Sequence, residues 1–129
     1  QAIGNPMAYD YGVMRQSWFY HHVSDWAGDD AIVLALDDSI RQFNYMGDVQ
    51  FLSGTVTAKR IDPRGQSVVD LRLRMVNQRD TETAFGTATV ALPSRDRGLP
   101  LYPAVPHDIQ LKAAQMFARH NELSAAAGR

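Results

Sequence analysis

Asp10 and Gly12 are the residues near the start of the chain whose types and spacing suggest chemistry. They lie just before a predicted helix. The first backbone N–H groups of a helix have no partner within it, and the helix dipole favours negative charge there. The N–H of Gly12 is therefore suited to polarising a carbonyl oxygen, with Asp10 as a nearby group for general acid–base work. The same pair also fits a structural role, in which Asp10 caps the helix and Gly12 allows the turn.

His21 and His22 are the other residues of the predicted helix with chemical potential. Adjacent residues of a helix point about 100° apart, so both imidazoles cannot easily serve one metal ion. No third ligand stands at a recognisable spacing, and the chain contains no cysteine. We therefore predict no metal site and no disulfide, and we interpret these histidines as packed or interface residues.

A helical pattern over residues 13–26 must position these groups. Its stripe consists of Met14, Trp18, His21, His22 and Asp25, and Phe19, Val23 and Trp26 widen it. Apolar residues around most of the circumference predict a largely buried helix. Gly28 and the two aspartates that follow it predict the end of the helix.

Residues 31–93 have the composition and alternation of strands. Between Val69 and Met75, apolar side chains alternate with Asp70, Arg72 and Arg74, as in a half-buried strand. Residues 62–65 predict a tight turn, and Gly86 indicates a bulge or a close approach. Long strands joined by short turns form an antiparallel sheet, and the only apolar element available to cover it is the helix. We predict an α+β fold in which the sheet wraps one central helix.

Residues 94–129 change in character. A proline-rich stretch leads to Pro106, and then Ile109, Ala113, Met116, Phe117 and His120 share one stripe. This pattern predicts an extended tail and a C-terminal amphipathic helix. We expect its apolar face to pack on the same domain, residues 1–93, or on a neighbouring subunit.

The length, net charge and hydrophobicity of the chain exclude several classes of function. The chain has 129 residues and a net charge of −1. This length suits one hydrophobic core, and the near-neutral charge makes nucleic acid an unexpected partner. No apolar run is long enough to cross a bilayer, so we expect no membrane partner and a cytoplasmic location. Because the first residue is Gln1, we expect the sequence to be a piece of a longer product.

Several short motifs follow one another in a fixed order. They are Pro6, Tyr11-Gly12 and Met14 around the helix start, SDWAGD at 24–29, YMGD at 45–48, SGTVT at 53–57 and GTATVALP at 86–93. In order and spacing they resemble the MaoC-type branch of the hot-dog superfamily, the (R)-specific enoyl-CoA hydratases and dehydratases. The resemblance covers residues 6–93 and implies a hot-dog fold that pairs with a second copy or with another hot-dog subunit.

The resemblance also implies a function. The chain would act on enoyl- or hydroxyacyl-CoA thioesters, with coenzyme A as part of the substrate and no other cofactor. Gly12 would donate its N–H to the thioester carbonyl, Asp10 would serve acid–base catalysis, and Tyr11, Met14 and Arg15 would bind substrate.

One departure from the family leaves alternatives open. The family's catalytic Asp and His, about five residues apart before the helix, have no equivalent here. Residues 1–12 contain Asp10 and no histidine, and Tyr11 replaces the usual His. Either an upstream segment with the first strand and the catalytic pair is missing, or the chain is the non-catalytic companion of a catalytic unit. A thioesterase that uses Asp10 or Asp25, and a silent ligand-binding subunit, are the other hypotheses.

Overall fold

The computed structural model describes residues 4, 7–102 and 104–128. It contains two helices and four strands in the described part of the chain. Their bounds are α1 Gly12–Ala27, β1 Ile32–Ile40, β2 Gln50–Ile61, β3 Ser67–Asn77, β4 Glu82–Leu92 and α2 His107–Ala126. Neither helix is long and apolar enough to span a membrane.

The four strands form one antiparallel sheet in the order β1-β4-β3-β2. The alternation predicted for β3 is confirmed. Val69, Leu71, Leu73 and Met75 are buried, whereas Arg72 and Arg74 are exposed. The buried side chains join Phe19 and Val23 of α1 in a single apolar core. An α+β sheet covered by one helix on its apolar face is the predicted architecture.

The buried face of α1 differs from the predicted one. Its buried residues are Arg15, Phe19 and Val23, which are spaced four apart. The predicted stripe of Met14, Trp18, His21, His22 and Asp25 is exposed or half-buried, so the prediction of a largely buried helix is wrong. The physical reason is that the sheet covers one side of the helix only. A charged residue also occupies the buried face, because Asp10 neutralises it.

Two regions of the fold are open to solvent. No residue of β2 is buried, and only Gln50 and Leu52 are half-buried. Helix α2 also has no buried residue, and Ile109, Met116 and Phe117 are all exposed. The helix itself is confirmed, but the expectation that another surface covers its apolar face stays a prediction.

Gly86 marks a close approach between β4 and β1, one of the two alternatives expected. A Cβ at this position would overlap the backbone oxygen of Asp37. A Cβ at Gly54 in β2 would instead lie 3.4 Å from Cδ2 of Leu73 and 3.5 Å from Nε2 of His22. The first site has no room for a methyl group, whereas the second has nearly enough.

We therefore expect G86A to destabilise the protein by about 1–3 kcal/mol, because a backbone atom must move to relieve the overlap. The matched variant G54A should be neutral or stabilising by up to about 1 kcal/mol, since alanine restricts the unfolded chain. Urea unfolding of both variants measures the difference. Equal stabilities would contradict the close approach at Gly86.

Candidate functional site

A cleft opens at the N-terminal end of α1. Its volume is about 230 Å³. The lining residues come from the segment before the helix, from its first turn and from the end of β1 with the chain that follows: Tyr9, Asp10, Gly12, Arg15, Ile40, Arg41, Gln42 and Phe43. Whole small-molecule sites usually have about 300–1,000 Å³. This cleft can therefore hold one end of a small-molecule ligand.

Gly12 lies at the first helical position of α1, preceded by Tyr11 as the N-cap. No described residue accepts a hydrogen bond from the Gly12 N–H, whereas the N–H of Met14 donates to the carbonyl of Tyr11 at 2.9 Å. Gly12 is thus both the first residue of the helix and one of the residues that line the cleft. This geometry suits the polarisation of a carbonyl oxygen.

Asp10 does not cap the helix, so that expectation is wrong. Tyr11 is the N-cap, and it makes no side-chain capping bond. The Asp10 carboxylate instead accepts two hydrogen bonds from Arg15, Nε to Oδ2 and Nη2 to Oδ1, each 2.7 Å long. Asn44 donates a third from Nδ2 to Oδ2 at 3.1 Å. The acid is therefore fixed by protein donors at the edge of the cleft.

Arg15 is buried together with its partner. Its side chain is 2% exposed and that of Asp10 is 9% exposed. Nη1 of Arg15 also donates to the carbonyl oxygens of Gln42 at 2.6 Å and Thr83 at 3.3 Å. The guanidinium thereby connects the helix to the chain after β1 and to the start of β4. Its contacts in the described part of the chain are those of a buried structural cation.

Tyr11 and Met14, the other predicted substrate-binding residues, lie outside the wall of the cleft. Tyr11 is 72% exposed and Met14 is 47% exposed. The cleft is lined instead by Tyr9 and Phe43, whose ring centroids are 4.7 Å apart. Sequence reasoning missed both rings, although Phe43 stands two residues before the YMGD motif and could have been found from that spacing.

The two histidines lie away from the cleft. His21 is exposed, and His22 is half-buried beside Gly54, Trp26 and Leu71 around a gap of about 50 Å³ between α1 and the sheet. Ten residues of helix separate His22 from Gly12, which corresponds to about 15 Å. Such a gap holds a water molecule or two at most. In residues 7–102 and 104–128, no three His, Asp or Glu side chains are grouped to bind a metal.

Asp48 braces the connection from β1 to β2, which carries Phe43 and Asn44. Its carboxylate accepts hydrogen bonds from Arg79 at 2.8 Å, Gln78 at 2.8 Å and the N–H of Tyr45 at 3.0 Å. These donors, Arg79 above all, hold the pKa of the Asp48 carboxyl well below its ordinary value of 3.8. Folding therefore favours the ionised form of Asp48.

This lowered pKa predicts an acid-sensitive part of the stability. Since the folded-state pKa lies below the unfolded-state pKa, the contribution of Asp48 is complete above the unfolded value and is lost as the pH falls below it. We expect D48N to melt at a lower temperature than the native protein at pH 6, and the gap to shrink steadily below about pH 4. Melting temperatures of both proteins from pH 6 to pH 2 measure this difference in stability. A difference in melting temperature that stays constant over this pH range would contradict the prediction.

The fold of the chain is also found in known proteins. No protein-family model matches the chain, and no curated protein gives a significant match. Among solved structures, it is similar to an (R)-hydratase from A. caviae involved in PHA biosynthesis. That match has 26% identity, a TM-score of 0.60, and covers 72% of this chain and 67% of the other.

Two thioesterase structures are also similar. One is a thioesterase from Thermus thermophilus complexed with coenzyme A and Zn, with 16% identity, a TM-score of 0.52, and coverage of 82% of this chain and 79% of the other. The second is a hexameric acyl-CoA thioesterase, with 15% identity, a TM-score of 0.54, and coverage of 98% and 86%. The predicted architecture is confirmed: the chain has the hot-dog fold.

Proposed function

We propose that the chain binds acyl-CoA thioesters in the cleft at the start of α1 and serves a MaoC-like hydratase or dehydratase, either as its active unit or as the companion half. The observation that carries the proposal is that Gly12 lines the cleft and that its N–H has no acceptor among the described residues. Support comes from the fold and from the similarity to the (R)-hydratase, which is 26% identical to this chain.

The chemistry follows from the position of the Gly12 N–H. Addition of water to an enoyl thioester, or its elimination, develops negative charge on the thioester oxygen. An N–H at a helix start stabilises this charge more in the transition state than in the ground state. Ile40, Phe43 and Tyr9 give the cleft an apolar side that suits an acyl group. Gly12 is thus the residue that we assign to the carbonyl, with no cofactor beyond the coenzyme A of the substrate.

Thioester hydrolysis is the second candidate. The two thioesterases cover larger shares of this chain than the hydratase does, although their identities are lower. Hydrolysis passes through an oxyanion that the same N–H can stabilise. The two reactions differ in their products, because only hydrolysis releases a free thiol.

The silent companion subunit is favoured by one observation at the cleft. Among the residues that the structure describes, Asp10 is the only acidic side chain in the wall, and no histidine lines it. The Asp10 carboxylate accepts two hydrogen bonds from Arg15 and one from Asn44, so it is already engaged within the chain. In a companion subunit the cleft would bind the thioester while a partner transfers the proton.

Crotonyl-CoA and coenzyme A, added separately to the ¹⁵N-labelled chain, test the proposal. We expect the Gly12 amide peak to move with crotonyl-CoA and to move less with coenzyme A, which lacks the carbonyl. Loss of the enoyl absorbance indicates hydration, and release of thiol indicates hydrolysis. A chain that shows no Gly12 response, and no turnover alone or with a co-purified partner, would refute the proposal.

A further inference from the structure

The hydrogen bonds around Asp10 extend into a chain of donors that runs away from the cleft. Thr83 Oγ1 donates to Oε1 of Gln50 at 2.6 Å, and Nε2 of Gln50 donates to Oδ1 of Asn44 at 2.7 Å. Asn44 in turn donates to Asp10 at 3.1 Å. Every bond points the same way, toward the Asp10 carboxylate. Hydrogen bonds aligned in one direction polarise and strengthen one another in a buried setting.

The other side of Asp10 is held by the helix. Arg15 lies in the first turns of α1 and grips the carboxylate with two parallel hydrogen bonds. The backbone N–H of Asp10 donates to the carbonyl of Asn44 at 3.0 Å. The bridge between residues 10 and 15 closes a short loop of chain, and Gly12 lies inside that loop. A bidentate Arg–carboxylate pair fixes direction as well as distance.

We infer that Asp10 is a positioning residue, held by Arg15 on one side and by the relay Thr83–Gln50–Asn44 on the other, and that it fixes the direction of the Gly12 N–H in the cleft. This inference rests on the proposed function of Gly12. It assigns Asp10 a role other than proton transfer, and it assigns Arg15 to the support of Asp10 in place of contact with the substrate. Gln50 and Thr83 support the cleft from outside its wall.

The remote members of the relay allow a test that leaves the cleft residues intact. Q50L removes the donor to Asn44 and the acceptor of Thr83. The matched control is Q78L. Gln78 lies between β3 and β4, and its side chain forms two hydrogen bonds with the connection from β1 to β2, one to Asp48 and one to the N–H of Val49. Gln78 has no bond to Asn44 or Asp10 among the described residues.

The amide peaks of Gly12 and Gly28, measured in the ligand-free ¹⁵N-labelled proteins, are the readout. Gly28 ends the same helix and serves as an internal reference. We expect Q50L to shift the Gly12 and Asp10 peaks and to speed exchange of their amide hydrogens, with Gly28 unchanged. Q78L should leave Gly12 in place. A general loss of stability would instead affect both ends of α1.

T83V provides a second variant if Q50L does not fold, because valine keeps the shape of the buried threonine and removes only its hydroxyl. Unchanged Gly12 and Asp10 peaks in the folded variants, or an equal Gly12 shift in Q78L, would overturn the inference. Crotonyl-CoA added to the native protein separates the two proposals. If the Gly12 peak of the native protein does not move on addition of crotonyl-CoA, the proposed function is refuted. The peak shifts between the ligand-free native protein and its variants still decide the role of Asp10.

Discussion

R15M should cost about 3–5 kcal/mol of unfolding free energy, the loss expected when one partner of a buried ion pair is removed. Methionine fills much of the space of the arginine stem, so the main cost comes from charge. Among the described residues, the Asn44 amide would be the one side-chain donor left to Asp10, whose side chain is 9% exposed. Domains of this size have about 5–15 kcal/mol of stability. Urea unfolding of R15M measures the loss.

R60M is the matched control for this effect. Arg60 and Asp70 also form a bidentate pair, with distances of 3.0 and 3.1 Å. That pair is open to solvent, because the Arg60 side chain is 47% exposed. Exposed pairs contribute little, since water and salt screen them. R60M should therefore change the unfolding free energy far less than R15M, and equal losses would show that burial of Asp10 and Arg15 has no energetic effect.

The double variant D10L/R15M separates charge from packing. It removes both charges, and we expect it to regain much of the stability lost in R15M. The carbonyl of Thr83 keeps two donors, the N–H groups of Arg41 at 2.9 Å and Gln42 at 3.2 Å. The carbonyl of Gln42 belongs to an exposed residue and can reach water. A double variant less stable than R15M would contradict a charge effect.

The strands and their apolar face could be predicted from the sequence because their signals are local. The alternation from Val69 to Met75 reports which side of β3 meets the core, and it needs no knowledge of partners. The helix was predictable for the same reason, but its buried face was not. Arg15 occupies that face because of acceptors 5, 27 and 68 residues away in sequence. No local pattern contains that information.

Some features of the candidate site could likewise be predicted from local sequence, and others could not. The place of Gly12 at the helix start could be predicted, since the start of a helix is a local feature of the sequence. Asn44 and Gln50 could not, because they lie in a connection and at a strand start without periodic pattern. Their role depends on bonds to Asp10 and Thr83, 34 and 33 residues distant. The sequence therefore predicts the position of Gly12 at the helix start better than the long-range hydrogen bonds around Asp10.

On the proposed role of Gly12 at the thioester carbonyl, G12P should lower kcat by about 10²–10³, the usual effect of losing one oxyanion donor. Proline removes the N–H itself, and the first helical position is the one place in a helix that tolerates it. The preceding residue must be extended, and Tyr11 already has φ −92° and ψ 138°. We therefore expect G12P to fold with α1 intact. Its circular dichroism and melting temperature verify this before any assay.

G12A is the control for the Cβ that both substitutions add. Both variants place a Cβ at position 12, where it would lie 3.2 Å from Cδ1 of Ile40, the movable tip of a side chain. Only G12A keeps the donor, so the ratio of the two rates measures the loss of the N–H together with the effect of the proline Cδ that replaces its hydrogen. Enoyl absorbance and free thiol, followed together, make the comparison valid for hydration and for hydrolysis. If G12P turns over as fast as G12A, the carbonyl is not polarised by Gly12, and another donor must be sought around the cleft.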